Sequence, residues 1–159
     1  MAENRGKKFE RVIKEAFEKV PGVSIDRLHD QTNGFRGSEN ICDFIVYREP
    51  YEYYFECKSV HGASLPFSNI TETQWNGLVN KATIEGVFAG VICWWIDKDK
   101  TVFIPIQELV AMRIVGMKSV RYNAIDDCEG DTTMIEIKGK KKRVFFDYDM
   151  EGFLNEIPI

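Results

Sequence analysis

Histidine is scarce in this chain of 159 residues, which contains 2 histidines, His29 and His61. Neither lies where it would pair with a serine or cysteine nucleophile, so the sequence does not support a catalytic triad. The 4 cysteines show no C-x-x-C spacing and have no histidine at zinc-ligand distance. We therefore predict reduced thiols that pack as small hydrophobic residues.

Long apolar runs are also absent. No segment approaches the roughly 20 apolar residues that a bilayer-spanning helix needs. The first ten residues carry charges but no apolar stretch of the kind found in a secretory signal. No repeat, low-complexity tract or linker divides the chain, and its 44% hydrophobic residues are typical of globular proteins. We expect one folded domain over residues 1–159, soluble and cytoplasmic.

Excess positive charge is missing as well, because the formal net charge is −4. This argues weakly against broad, nonspecific binding of nucleic acid, which needs clustered lysine and arginine. Two basic clusters are present all the same. The first comprises Arg5, Lys7, Lys8, Arg11 and Lys14, and the second is the segment K-G-K-K-K-R from Lys138 to Arg143.

Hydrophobic periodicity predicts an alternation of helices and strands. Apolar residues from Lys7 to Val20 recur with helical spacing, and Pro21–Gly22 ends that helix. The sequence T-E-T-Q at Thr71–Gln74 is typical of a capping box that begins a second helix. Further helices are predicted at 106–115 and 150–154. Strands are predicted at 23–28, 41–47, 52–60, 86–96 and 101–105, followed by a C-terminal hairpin that pairs 133–138 with 143–148 and turns at Gly139.

Three charged residues lie inside the predicted hairpin of strands 41–47 and 52–60. Side chains alternate along a strand, so Glu56 and Lys58 share one face, and pairing of the strands brings Asp43 close to Glu56. Two adjacent carboxylates resist ionising together unless a cation lies between them. Oxygen ligands favour a hard divalent ion such as Mg²⁺ or Mn²⁺. The same pattern also fits a surface hairpin with solvated charges and a weak ion pair between Glu56 and Lys58.

The wider context resembles the PD-(D/E)XK nuclease superfamily. Asp43 matches its first acid, and E-C-K at residues 56–58 matches its second motif. The similarity is greatest to RecU-type Holliday junction resolvases and weaker to archaeal resolvases. N-R-G-K-K-F-E, residues 4–10, is similar to a helix motif in which a metal-binding glutamate follows a glycine by four residues. Glu10 matches that glutamate.

The resemblance extends over most of the chain, from about Asn4 to Tyr148. The segment 62–78 is similar to the family's Ser-Phe-Pro-Leu segment and the helix after it, which makes Ser64 and Gln74 active-site support. Weaker matches occur at K-S-V, residues 118–120, and R-V-F-F-D-Y, residues 143–148. The implied fold is a restriction-endonuclease-like mixed sheet flanked by helices, with an αβββαβ core and a C-terminal hairpin addition.

The resemblance implies a Mg²⁺- or Mn²⁺-dependent DNA endonuclease of a bacterial cell or phage-infected host. Glu10, Asp43, Glu56 and the Cys57 carbonyl would hold the metal, Lys58 would assist the attacking water, and Gln74 would support catalysis. A four-way DNA junction needs two symmetric nicks, so we expect a homodimer. The residues expected to contact DNA are Arg5, Lys7, Lys8, Arg36, Ser64, Lys140, Lys141, Lys142 and Arg143.

Two departures from the family pattern keep other functions open. The family carries a long insertion before its first acid, which enters the junction centre, whereas only H-D-Q-T-N-G-F-R-G-S-E-N at 29–40 occupies that space here. Cysteine also precedes Asp43 where the family usually has proline. The alternatives are a nuclease of the same superfamily that acts on duplex or flap DNA, and a non-catalytic module that binds junctions.

Overall fold

The computed structural model describes residues 4–29 and 39–157. In chain order the helices are α1 (Arg5–Glu18), α2 (Glu72–Ala82), α3 (Ile106–Ile114) and α4 (Met150–Glu156). The strands are β1 (Ser24–Arg27), β2 (Phe44–Arg48), β3 (Tyr51–Val60), β4 (Ser64–Pro66), β5 (Val87–Trp95), β6 (Lys100–Pro105), β7 (Ser119–Arg121), β8 (Ile135–Glu136), β9 (Gly139–Lys141) and β10 (Phe146–Tyr148).

Six strands form the main sheet in the order β1-β2-β3-β5-β6-β8. β3 and β5 are parallel, with Glu52 opposite Val87 and Val60 opposite Trp95. The other neighbours in this sheet are antiparallel. Parallel strands need a crossover connection, and α2 lies in that connection between β3 and β5. The predicted mixed α/β fold with a central mixed sheet is confirmed.

Helices cover both faces of the main sheet. On one face Phe9 and Phe17 of α1 and Phe153 of α4 pack in one apolar cluster with Phe55 of β3. On the other face the cluster contains residues of α2, α3 and the central strands, including Trp75, Leu78, Leu109, Val91 and Trp95. The central strands are therefore buried on both sides, which explains the continuous apolar sequence of β5.

Local sequence features determine where α1 begins and where the chain turns away after it. Asn4 caps it, since its side-chain Oδ1 accepts a hydrogen bond from the Lys7 backbone N–H at 2.8 Å. Its buried residues, Phe9, Ile13, Ala16 and Phe17, recur with helical spacing. The chain leaves the helix through Gly22, whose φ of +76° suits glycine.

The predicted C-terminal hairpin is present but its pairing was wrong. β8 pairs with β6 and extends the main sheet, so residues 133–138 do not pair with 143–148. The hairpin is formed by β9 and β10, with Gly139 opposite Tyr148. Gly139 lies in β9, where an added Cβ would stand 2.6 Å from the Asp147 carbonyl oxygen, so the close approach of β10 requires glycine. The turn falls after Lys142, whose N–H donates to the Phe145 carbonyl at 2.8 Å.

A second two-stranded sheet was not predicted. β4 pairs with β7, so that Leu65 lies opposite Val120 and both are fully buried. Three-residue strands carry too little periodicity to be recognised, and Pro66 favours a loop in sequence terms. Among the described residues, no helix is long and apolar enough to cross a membrane.

Candidate active site

The β2–β3 hairpin brings two carboxyl groups together. Asp43 immediately precedes β2, and its backbone N–H donates to the Phe55 carbonyl at 3.1 Å. Because Phe44 is paired with Phe55, the register places Asp43 opposite Glu56. Asp43 Oδ2 accepts the backbone N–H of Cys57 at 2.8 Å, which fixes the side chain beside β3. Strand alternation predicts this proximity.

Glu56 is a buried acid with only 4% of its surface exposed. Its Oε2 lies 3.1 Å from Lys58 Nζ and accepts a hydrogen bond from Gln74 Nε2 at 3.1 Å. Its Oε1 is buried without a hydrogen-bond partner in the described part of the chain. Buried polar atoms are nearly always paired, so an unpaired carboxylate oxygen marks a place where a cation or water would be stabilised.

Glu10 reaches the same site from α1. Its carboxyl group lies within hydrogen-bonding range of Asp43, and its Oε2 accepts from Arg27 Nη2 at 2.8 Å. Phe9, the preceding residue, is 1% exposed and anchors this turn of the helix in the core. Three acids from three chain segments, Glu10, Asp43 and Glu56, are therefore gathered at one place; we call them the acidic cluster.

The acidic cluster disfavours full ionisation. Burial, followed by repulsion from Glu56, raises the pKa of Asp43 to about 7. Burial, followed by repulsion from Asp43, raises the pKa of Glu10 to about 7, although Arg27 opposes the shift. Burial also raises the pKa of Glu56, with Lys58 acting in the opposite direction. Burial and mutual repulsion thus favour the protonated form of these acids more than Arg27 and Lys58 favour the ionised form.

Two hydrogen bonds with Thr71 hold Gln74 in place, one to its side chain and one to its backbone. Its Oε1 accepts the Thr71 backbone N–H at 3.1 Å, and the Gln74 backbone N–H donates to Thr71 Oγ1 at 3.2 Å. This is the capping box predicted at the start of α2. The remaining Nε2 group is directed at Glu56, so the helix cap positions a donor for the buried acid.

The donor types of the acidic cluster fit a hard divalent ion, because carboxylate oxygens are the ligands that Mg²⁺ and Mn²⁺ prefer. The unpaired Oε1 of Glu56 leaves a buried oxygen that a cation could contact. The side chains of the cluster do not stand in ligand geometry: across residues 4–29 and 39–157, no group of three His, Cys, Asp or Glu residues could hold a metal as arranged. Arg27 and Lys58 supply the cationic contacts instead.

The predicted DNA-contacting residues fall into separate places. Arg5 and Lys8 of α1 line one pocket with Val144 and Phe145 of the β9–β10 turn, so part of the first basic cluster lies beside the turn that follows the second. The residues of the second cluster, Lys140, Lys141, Lys142 and Arg143, are all exposed. Lys7, also exposed, lowers the pKa of Glu10 and so lies on the side of α1 near the acidic cluster.

Two other predicted residues are not joined to the acids. Ser64 lies in β4 opposite Arg121, and no hydrogen bond among the described residues links it to the acidic cluster. Arg36 lies outside the described residues. Their predicted contacts with DNA stay predictions.

Sequence reasoning missed Arg27, which pairs with Glu10 across 17 residues. The one available signal was its position near the end of the predicted strand 23–28, and that position does not identify a partner. A second missed pair is His61 and Asp97, whose Nδ1 and Oδ1 atoms lie 3.0 Å apart, just beyond β3 and β5. Asp97 Oδ2 also accepts the Gly62 backbone N–H at 2.6 Å, which together with His61 lowers the Asp97 pKa.

Comparisons with known proteins give a partial structural similarity. No family model matches the chain, and no curated protein matches it. Among solved structures, the chain is similar to Archaeoglobus fulgidus Hjc, described as a Holliday junction resolvase from an archaeal hyperthermophile. The TM-score is 0.49 and the sequence identity 22%, covering 64% of this chain and 78% of that one. A similarity of this size carries no argument about activity, which must come from the geometry of the acidic cluster.

Proposed function

We propose that the protein is a metal-dependent DNA endonuclease of the PD-(D/E)XK type that nicks four-way junctions. One observation supports this most strongly. Glu56, buried and bonded to Lys58 and Gln74, lies within hydrogen-bonding range of Asp43, which in turn lies within range of Glu10. A solvated surface hairpin would not bury Glu56 or gather a third acid from α1. Buried acids with perturbed pKa values cluster at functional sites.

Each residue then has a distinct part in hydrolysis. Glu10, Asp43, Glu56 and the Cys57 carbonyl would hold a Mg²⁺ or Mn²⁺ ion, which supplies Lewis-acid activation of the phosphate and lowers the pKa of water. Lys58 Nζ would orient the attacking water and offset negative charge on the phosphate. Gln74 keeps Glu56 in place, and the Cys57 N–H does the same for Asp43. We expect 5′-phosphate and 3′-hydroxyl ends, as in the superfamily.

The basic pocket supports DNA as the substrate. α1 carries Arg5 and Lys8 toward the β9–β10 turn and Glu10 toward the acids, so phosphate-binding and acidic groups share one rigid helix. Phosphate contacts fix the position of a duplex without reading its sequence. This suits an enzyme that is selective for DNA shape. Four-way junctions have two-fold symmetry, so a homodimer would place one acidic cluster at each of two symmetric strands.

The test is cleavage of a four-way junction, a flap and a plain duplex of matched sequence, each with Mg²⁺. We expect preferential, paired nicking of the junction. Asp43→Asn removes a proposed metal ligand and Lys58→Ala removes the group proposed to orient the attacking water, so each should lower the rate at least about 100-fold. Glu85→Gln, a change at an exposed acid beyond α2, is the matched control and should cut like the wild type. Equal cutting of all three substrates would instead support a duplex or flap nuclease.

A non-catalytic junction-binding module is the second candidate, and the Arg27–Glu10 pair favours it. The Arg27 guanidinium lies 2.8 Å from Glu10 Oε2, an oxygen that would otherwise be available to bind a metal. In that case wild-type protein would bind junctions tightly without cutting, and Asp43→Asn would leave affinity unchanged. Activity that depends on both Asp43 and Lys58 would exclude this candidate.

A further inference from the structure

The end of α3 and the turn after it expose three apolar side chains within four residues. Ile114 and Val115 are 78% and 76% exposed, and Met117 is 42% exposed. Gly116, with φ of +94°, makes the turn between them. We call residues 114–117 the α3 tip. Single exposed aliphatic residues are common, but contiguous apolar patches mark interaction sites.

A cleft of about 840 Å³ lies directly beside the α3 tip. Phe67 and Trp75 lie in its wall with ring centroids 5.8 Å apart. The Arg113 guanidinium lies 4.8 Å from the centroid of the Trp75 ring. Pro66 and Ile70 complete the apolar lining. We call this the α2–α3 cleft; its aromatic and aliphatic walls match the chemistry of the tip.

The tip and the cleft share Gly116 and Met117, so a protrusion and a recess occupy one continuous surface. A two-fold interface brings the same patch of two subunits together, and therefore requires a patch that is complementary to itself. We propose that the α3 tip of each protomer inserts into the α2–α3 cleft of a second copy of this chain.

The charges around the cleft favour a second copy of this chain, rather than DNA, as the occupant of the cleft. Arg113 and Lys118 stand in the same lining as Glu72. Across a two-fold axis each charge meets the partner's copy of the patch, so both signs on one patch allow opposite charges to pair. A phosphate backbone would gain nothing from Glu72 or from the exposed aliphatic tip. The choice of a second copy rests on the proposed function, because a junction has two-fold symmetry.

This surface adjoins the acidic cluster. Thr71 lines the cleft, and its backbone N–H donates to Gln74, which donates to Glu56. A partner docked in the cleft would therefore cover the residue that holds Gln74. Dimer formation and the position of Glu56 are coupled through two hydrogen bonds of 3.1 Å each.

The first experiment measures oligomeric state by sedimentation velocity without DNA or metal. An interface at the small end of the specific range is expected to give a roughly micromolar dimer. Val115→Asp and Ile114→Asp should weaken it at least about tenfold, since each buries a charge against Trp75. Ile84→Asp is the matched control: Ile84 is 52% exposed but lies beyond α2, away from the cleft lining, and its variant should dimerise normally.

The second experiment tests the tip-in-cleft geometry by disulfide trapping. Ser68 lines the cleft and is exposed, so Ser68→Cys with Val115→Cys should give covalent dimers on mild oxidation. Each single variant should give few. Efficient trapping by Val115→Cys alone would mean that two tips meet on the axis, which would overturn the proposal.

These experiments can reject the proposed dimer interface independently of the nuclease assignment. A wild type that stays monomeric at about 100 µM, well above a micromolar Kd, overturns the interface whatever the cleavage assay shows. Normal dimers of Val115→Asp with weakened junction binding would show that the tip contacts DNA, which also overturns it. Asp43→Asn should dimerise like the wild type even if it is inactive, because it lies outside the cleft lining.

Discussion

At the scale of single residues, the acidic cluster divides into a part that sequence could predict and a part that it could not. Strand alternation alone places Glu56 and Lys58 on one face, and hairpin pairing places Asp43 opposite Glu56. Gln74 followed from its capping box. The Arg27–Glu10 contact could not be predicted, because a pairing between a helix and a separate strand has no periodic signature.

The raised pKa of Asp43 predicts an inverted pH dependence of stability. Its value of about 7 in the folded chain exceeds the ordinary 3.8, so the folded state holds the proton more tightly than the unfolded state. The free energy of unfolding should therefore fall as pH rises from about 4 to about 7. Asp43→Asn removes the charge and keeps an acceptor for the Cys57 N–H. We expect its Tm to exceed that of the wild type at pH 8 in EDTA.

The rise in Tm equals the gain in stability divided by the entropy of unfolding, roughly 2–4 °C for each kcal/mol in a domain of this length. Added Mg²⁺ should raise the Tm of the wild type and leave that of Asp43→Asn unchanged. Glu85→Gln serves as the control, because Glu85 is exposed. A lower Tm for Asp43→Asn in EDTA would contradict the prediction.

The four cysteines should differ in reactivity. Burial raises the pKa of the Cys42 thiol to about 12 and those of Cys57 and Cys93 well above their ordinary value. Only the thiolate attacks disulfide reagents. Cys128 is the one cysteine that is partly exposed. We expect one thiol to react quickly with a disulfide dye, all four to react in guanidinium, and Cys128→Ser to abolish the quick phase.

At the scale of elements, long periodic segments were predicted well and short ones were not. The spacing of α1, the cap of α2 and the continuous apolar run of β5 each carry a strong local signal. β8 has two residues, and its place at the sheet edge is decided by pairing with β6. Gly139 was taken as a turn residue, whereas close approach to the neighbouring strand is what requires glycine there. Local composition does not distinguish these two reasons.

Gly90, the single glycine in the six strands of the main sheet, should be sensitive to substitution. An added Cβ would lie 2.3 Å from the Ile104 carbonyl oxygen and 2.9 Å from the Pro105 Cα, so backbone atoms would have to move. Gly90→Ala should destabilise the chain by about 2 kcal/mol or more, as expected for overpacking. Gly6→Ala is the matched control, since its Cβ would have ordinary contacts and alanine favours the helix. Denaturant unfolding should order the variants Gly6→Ala, wild type, Gly90→Ala from most to least stable.

At the scale of the whole molecule, the approach of the first basic cluster to the β9–β10 turn has no counterpart in the sequence. α1 packs against β10, which brings Arg5 and Lys8 beside the β9–β10 turn. A net charge of −4 conceals this local concentration. Tertiary packing, which the sequence pattern does not reveal, thus determines where DNA would contact the protein.

The basic pocket predicts a specific salt dependence of junction binding. Each phosphate contact contributes about 0.9 to the slope of log affinity against log salt. Lys8→Ala and Arg143→Ala should therefore each weaken binding at low salt and reduce the slope by about one. Lys19→Ala is the control, because Lys19 already pairs with Asp147 at 3.1 Å. Slopes that do not change in either variant would place the DNA elsewhere.

Aromatic contacts join the beginning of the described chain to its end. Phe9 packs against Trp94 and Tyr148, and Phe17 against Phe55 and Phe153. On the ribosome, α1 is made first but has no complete surface to bury against until residue 153 has left the exit tunnel. Glu10 is carried by that helix. The acidic cluster therefore cannot be completed until translation has passed residue 153, because the helix that carries Glu10 packs on residues this far along the sequence.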